Sequence, residues 1–199
     1  MKILNLYAGL WWNRSLWWDN NEVTAVEINS EIARIYQDRF PKDKVIVWDA
    51  HEYLEENFKE FDFIRSSPPC QSHSSFRQNI CVRYRWTKPI YPDMKLWQEI
   101  TFLKYNFDGD WVVENVKPYY KPFIEPSFVL QRHYFRSNKA IEKKEFESDR
   151  IRTAQIKDLE VLHWIDLSKY KISNKRQILR NCVHKEVWKH VLDAFGVKP

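Results

Sequence analysis

Short apolar runs separated by charged stretches dominate the first two thirds of the chain. Residues 2–8 (KILNLYA) are apolar with partial alternation and predict a buried strand. Residues 23–28 (VTAVEI), 45–48 (VIVW) and 61–64 (FDFI) predict three more. Asn29-Ser30 is placed to cap a helix running to about Phe40, and the charged stretch 51–59 predicts another. Further on, 93–107 predicts a helix and 111–116 (WVVENV) a fifth strand, stopped by Lys117-Pro118. Residues 128–137 (FVLQRHYFRS) predict one more strand. The stretch 139–174 is charged and irregular, and from Lys175 the pattern is helical until Phe195-Gly196. Strands alternating with helices imply an α/β fold with a mostly parallel sheet covered on both faces. The expected layout is a core over 1–138, a short intervening segment over 139–174, and a helix over 175–199 that completes the core.

Composition narrows this. A length of 199 residues suits one domain of ordinary size, and 44% hydrophobic with 30% charged residues argues against disorder. No run approaches the ~18 apolar residues of a membrane span, and Met1–Tyr7 lacks a signal-peptide layout. The cysteines, Cys70, Cys81 and Cys182, are too scattered for a disulfide framework or a CxxC metal site, so no metal and a reducing cytoplasm are expected. A net charge of +5 permits a polyanionic partner without requiring one. Glycine is scarce: there are 3, where ~7% usage would give roughly 14. Tryptophan is abundant, with 10.

Open parallel sheets bind ligands at the carboxyl ends of their strands. The first strand ends in Tyr7-Ala8-Gly9, the second in Glu27, the third in Asp49, and the fourth runs into Ser66-Ser67-Pro68-Pro69-Cys70-Gln71. Glu27 is placed to accept from two ribose hydroxyls and Asp49 from an adenine amine. Either alone is more often a solvated turn or a helix cap; in this order they suggest a nucleoside-type cofactor. Cys70 has two readings, a small buried apolar residue or an accessible thiol. The two prolines before it and the polar Gln71, Ser72, His73 and Arg77 after it favour the thiol, whose pKa nearby positive charge would lower. His73 lies too close in sequence to argue a Cys–His pair. Glu114-Asn115 ends an apolar run, where a carboxyl either serves a turn or holds a raised pKa. The long polar loop 66–92 is of the kind that usually carries function.

These motifs resemble the DNA cytosine-5 methyltransferases. Pro69-Cys70-Gln71, Glu114-Asn115-Val116 and Gln131-Arg132-His133-Tyr134-Phe135 follow that family's order and approximate spacing. Asn5-Leu6-Tyr7-Ala8-Gly9 is similar to the start of its first motif, Glu27 and Asp49 to later cofactor contacts, and Asn181-Cys182-Val183 to a late motif returning to the cofactor pocket. The resemblance implies a Rossmann-like S-adenosylmethionine-dependent methyltransferase fold with a reduced target-recognition region. It implies catalysis by Cys70, Glu114 and Arg132, with Cys70 adding to cytosine C6 in a flipped base. The implied cofactor site holds Tyr7, Ala8, Gly9, Leu10, Glu27, Ile28, Asp49, Ala50, Pro69, Asn181 and Val183. The implied partner is double-stranded DNA, touched by Gln71, Ser72, Arg77, Arg83, Arg85 and Asn115. Residues 139–174, with Lys143-Lys144, Arg150 and Arg152, stand where relatives carry a target-recognition domain. The cellular setting would be the cytoplasm of a bacterial or phage-infected cell, in restriction-modification, phage self-protection or regulation. A DNA-binding remnant without activity and an RNA cytosine-5 methyltransferase are the alternative readings.

The chain also departs from that pattern. The glycine-rich first motif reads Gly9-Leu10-Trp11-Trp12-Asn13 here, and Trp18, Trp48, Trp86 and Trp188 also resemble replaced glycines. Arg65 and Arg136 stand where relatives often carry an aromatic residue. The tryptophans are either core aromatics of a working enzyme or fillers of the cofactor pocket. Their concentration at glycine sites favours the second reading and predicts weak or absent cofactor binding.

Overall fold

The computed structural model describes residues 1–17, 20–146 and 154–197. Strands β1 (Lys2–Leu6), β2 (Glu22–Val26), β3 (Lys44–Ile46), β4 (Phe63–Ser66), β5 (Asp110–Val116), β6 (Phe128–Leu130) and β7 (His133–Ser137) form one sheet. Their order is β3-β2-β1-β4-β5-β7-β6. The first five run parallel, and β7 is antiparallel to β5 and to β6. The chain winds outward from β1 to β3, then returns to lay β4 on β1's other side. That reversal opens a crevice at the carboxyl ends of β1 and β4.

Period-two alternation assigns the faces. Ile3, Val23, Phe63 and Val112 point to one side, where Val187, Trp188 and Val191 of α6 (Lys185–Ala194) cover them. Leu4, Leu6, Val26, Ile64 and Val113 point to the other. There they meet Tyr53 and Leu54 of α2 (Ala50–Asn57) and Leu96, Ile100 and Leu103 of α3 (Lys95–Asn106). Helix α1 (Ser30–Arg39) starts at Asn29, whose side chain accepts from the Glu31 and Ile32 amides. A third cluster joins Ile35 and Tyr36 of α1 to the loop after β1 and to Leu159 of α4 (Ile156–His163) and Leu179 of α5 (Lys175–Asn181).

Three expectations need correction. The helix expected over 175–199 is two, α5 and α6, broken at Cys182, which takes an extended backbone. Residues 128–137 form two strands, because the chain turns at Gln131, which takes φ +51. Within 139–174, predicted to be irregular, the described residues include α4. The expectations for Trp18, Arg150 and Arg152 fall outside the described residues.

The tryptophans sort by backbone. Of the five described positions read as replaced glycines, only Trp11 takes a left-handed backbone, at φ +103. This conformation costs an L-residue about 1–3 kcal/mol. Trp11 and Trp12 are both buried in the third cluster, and Trp12 meets the His163 ring edge-on at 4.5 Å. Trp188 is buried in the middle of α6, with the Arg65 guanidinium 4.2 Å from its ring centroid. Trp97 similarly faces Arg136 at 5.0 Å. Each arginine in a place where an aromatic was expected thus lies against an indole from a covering helix. Trp188→Ala is expected to destabilise the fold by about 3–5 kcal/mol, from the cavity and the loss of the ring over a buried charge; urea unfolding measures it.

Candidate active site

Strands β4 and β5 end side by side, with Ser66 opposite Val113, which sets Ser67 beside Glu114. Beyond Ser66 the chain runs through two prolines into a turn. There the Cys70 carbonyl accepts from the His73 amide at 3.1 Å and the Ser74 amide at 3.0 Å. The segment after β5 holds this turn in place: Tyr119 N–H donates to the His73 carbonyl at 3.1 Å, and Ser74 bridges Pro118. Asn115 completes the clamp. It is buried, and its amide donates to the Pro68 carbonyl at 2.9 Å. Expected at the nucleic acid, Asn115 is instead internal, since both ends of its side chain are used on backbone, the second by Val116 N–H.

Burial dominates the site's electrostatics. The half-buried Cys70 thiol is pushed up to about 11, first by burial and then by the Glu114 carboxyl, while Arg132 acts the other way. This reverses the expectation of a lowered thiol, because burial outweighs the cation. Glu114 is raised chiefly by burial, against opposing contributions from the Ser67 hydroxyl and three arginines. Ser67 Oγ donates to Glu114 Oε2 at 2.7 Å and accepts from Arg65, whose other terminal nitrogen reaches the Leu6 carbonyl at 3.1 Å and Asn5 Oδ1 at 3.2 Å. His133 Nε2 lies 3.9 Å from Glu114 Oε1, but burial holds that imidazole down to about 3, so it faces the carboxyl neutral. Sequence reading missed Ser67 and His133. Ser67 lay within the motif; His133 gave no local signal, because it arrives through the β5–β7 pairing. The His73 ring goes to the Tyr120 hydroxyl at 2.6 Å.

At the neighbouring strand ends the loop after β1 is tightly curled, with Tyr7 at φ +53 and Gly9 at φ +59. Ala8 and Leu10 are buried in the third cluster. Tyr7 donates its hydroxyl to Glu99 of α3, a buried carboxyl that also accepts from Ser66 Oγ at 2.7 Å and meets His51 Nδ1 at 3.2 Å. Glu99 was not foreseen, because a glutamate in a helical repeat gives no sign of inward rotation. Glu27 accepts from Gly9 N–H at 3.1 Å and Asn29 N–H at 2.9 Å, and burial raises its pKa. Asp49 caps α2 through one oxygen and takes Lys95 Nζ at 3.1 Å on the other. Ile28 and Trp48, adjacent in sequence to these acids, are 67% and 46% exposed. Half-buried acids next to exposed apolar surface are donor-set chemistry that fits an adenosine, with the diol at Glu27 and the base against Ile28 and Trp48. Asp49 Oδ1 is used on the His51 and Glu52 amides, whereas Oδ2 has a lone pair beyond its Lys95 bond.

The remaining expected residues scatter. Pro69 is exposed and Ala50 starts α2, buried. Asn181 is exposed at the end of α5, whereas Val183, expected at the cofactor, is buried in the core cluster under α6, where its apolar side chain is best placed. Arg132 is exposed in the β6–β7 turn and donates to the Arg180 carbonyl at 3.2 Å. Ser72 Oγ accepts from Asp93 N–H at 3.0 Å, and Gln71 is half-buried. Arg77, expected at phosphates, is used internally on Thr87 and Lys88. Arg83 and Arg85 are exposed. Among the described residues no cluster of three His, Cys, Asp or Glu could hold a metal, and no helix is long and apolar enough to cross a membrane.

Residues 1–99, which carry both the strand-end acids and the Cys70 turn, match the C-5 cytosine-specific DNA methylases. That stretch, just under half of the chain, is similar to this family. No curated protein matches the chain. Among solved structures, an Entamoeba histolytica methyltransferase, EhMeth, aligns over 100% of this chain and 99% of its own, at 11% identity and a TM-score of 0.57, a likeness of fold. A Spodoptera frugiperda DNMT2 mutant is 25% identical over 58% of this chain, with a TM-score of 0.43. A putative DNA modification methyltransferase from an Escherichia coli prophage is 19% identical over 61%, with a TM-score of 0.38. The matched region spans only 35% of the Spodoptera protein and 33% of the prophage one. The seven-stranded, mostly parallel sheet is thus a Rossmann-like fold shared with the Entamoeba protein. Cys70 should alkylate with iodoacetamide slowly at neutral pH and faster up to an apparent pKa of about 11, read from the mass of its peptide. A midpoint near 8 would remove the burial account.

Proposed function

We propose that the protein transfers a methyl group from S-adenosylmethionine to C5 of cytosine in DNA, with Cys70 as nucleophile. The observation that carries this reading is the clamped Cys70 turn beside the buried, raised Glu114. S-adenosylmethionine, when bound, supplies an electrophilic methyl on a sulfonium. Glu27, Ile28, Trp48 and Asp49 would hold its adenosine, and Tyr7 and Gly9 shape the loop beside it.

The protein's own groups then act on the base. The target ring must leave the stack to reach the pocket. The Cys70 sulfur bonds to C6, and the C5=C6 electron pair makes C5 nucleophilic. Glu114, whose carboxyl burial shifts toward the protonated form, donates to N3 as charge builds there. Arg132 reinforces this from the β6–β7 turn, favouring the thiolate and the anionic adduct. C5 takes the methyl; loss of the C5 proton to a base restores the C5=C6 bond and expels the sulfur. Because the resting thiol titrates near 11, the thiolate must form as the base arrives, with its proton leaving the pocket. Holding the thiol protonated until then protects it from oxidation.

The trapping experiment uses DNA carrying 5-fluorocytosine, where fluorine blocks the final elimination. With S-adenosylmethionine, a covalent adduct stable to denaturing electrophoresis is expected, lost in Cys70→Ala. Absence of adduct with every cytosine context, in single strands as well as in a mixed-sequence duplex, would instead favour a DNA-binding remnant. Cofactor affinity is expected to be weaker than micromolar. The loop that glycines would let adapt is stiffened by the left-handed Trp11 and its buried indole. Titration calorimetry showing micromolar or tighter binding would contradict this.

A further inference from the structure

Between the Cys70 turn and α3, residues 71–92 carry four basic side chains, Arg77, Arg83, Arg85 and Lys88, and no acidic one. Their backbone is ordered by local bonds. A π-helical turn, Arg77–Val82, closes with Trp86 N–H on the Cys81 carbonyl at 2.8 Å and Arg85 N–H on the Val82 carbonyl at 2.9 Å. This is the paired closure that ends many helices, usually on glycine. Here Arg85 occupies the left-handed position, at φ +60. Arg77 staples the returning strand, donating to Thr87 Oγ1 at 2.8 Å and the Lys88 carbonyl at 3.0 Å.

The closure turns two aromatic rings outward. Tyr84 and Trp86 stack on each other with centroids 5.9 Å apart and planes 30° apart, and they are 62% and 70% exposed. Tyr91, nearby in the same loop, is 95% exposed. Aromatic rings of this size normally bury most of their surface, so a rigid turn that holds two in water calls for a partner. The flanking Arg83 and Arg85 make that partner an anion with flat apolar faces. A base inside a duplex already stacks on its neighbours and offers only edges and phosphates; an unpaired base offers its whole face.

We infer that Tyr84 and Trp86 form a stacking platform for an unpaired nucleobase, with Arg83 and Arg85 at the adjoining phosphates. The strand engaged beside the target cytosine is then single-stranded. The proximity to a target rests on the methyl-transfer reading, whereas the platform itself can be measured by binding alone, without cofactor or covalent addition.

The test is fluorescence anisotropy on the intact protein with a labelled cytosine-containing single strand, as DNA and as RNA, and with the same sequence closed into a duplex. Tyr84→Ala with Trp86→Ala is expected to weaken single-strand binding roughly 10- to 100-fold while leaving duplex binding within about twofold. Trp86→Phe should retain most of the affinity. Arg83→Ala with Arg85→Ala should weaken both ligands and flatten the salt dependence. A stronger response in the DNA or the RNA arm identifies which strand the platform takes. Equal losses on single strand and duplex, or no loss on the single strand, would overturn the inference. A protein that passes this test yet forms no 5-fluorocytosine adduct would keep the platform and lose the methyl-transfer reading; the reverse pair of results would do the opposite.

Discussion

A guanidinium buried in the middle of the sheet is the constraint around which the candidate site is organised. Arg65 points inward from β4, where an uncompensated charge would cost several kcal/mol. It is compensated on three sides: by the Leu6 carbonyl and Asn5 on β1, by Ser67 and through it Glu114 on β5, and by the face of Trp188. Burial still holds Arg65 down to about 10, well above neutral pH, so it stays charged. The same polar layer continues away from the site. Asn5 meets Asn13 and Tyr36, and Tyr36 and Arg14 both bond Asp43. Two buried arginines are thus matched by two buried carboxyls, Glu114 and Asp43, across one face of the sheet.

That layer explains how a chain so poor in glycine keeps this scaffold. Where the sequence led to the expectation of an aromatic on β4, this chain has an arginine, and it stacks on the Trp188 indole. Arg136 on β7 repeats the exchange with Trp97 and ties itself to the Ile124 carbonyl at 3.1 Å. Among the described tryptophans read as replaced glycines, only Trp11 takes a left-handed backbone, and its indole is absorbed by the cluster with α4 and α5.

Much of this was legible in the chain. The strand runs, the Asn29 cap and the Pro-Pro-Cys turn rest on local chemistry, and each falls within a few residues of its predicted place. The break at Gln131 was not legible, because that turn uses neither glycine, proline nor asparagine. The tasks of Asn115 and Arg77 were also hidden: a polar side chain beside a motif reads as a ligand contact until the backbone carbonyl it satisfies is known. The direction of the Cys70 shift failed for a related reason. Nearby arginines can be counted in a sequence, but the depth of the pocket that outweighs them cannot. His133 and Glu99 come to the site through strand pairing and helix rotation, which involve partners tens of residues away.

The stacking of Trp188 on Arg65 also sets an order of assembly. Strand β4 and the helix that shelters its charge are separated by more than half the chain, so during synthesis the arginine is made long before its cover. Until α6 docks, the guanidinium stays hydrated and the β4–β5 crevice cannot dry. The burial that raises Glu114 and the Cys70 thiol is thus complete only once α6 packs on the sheet.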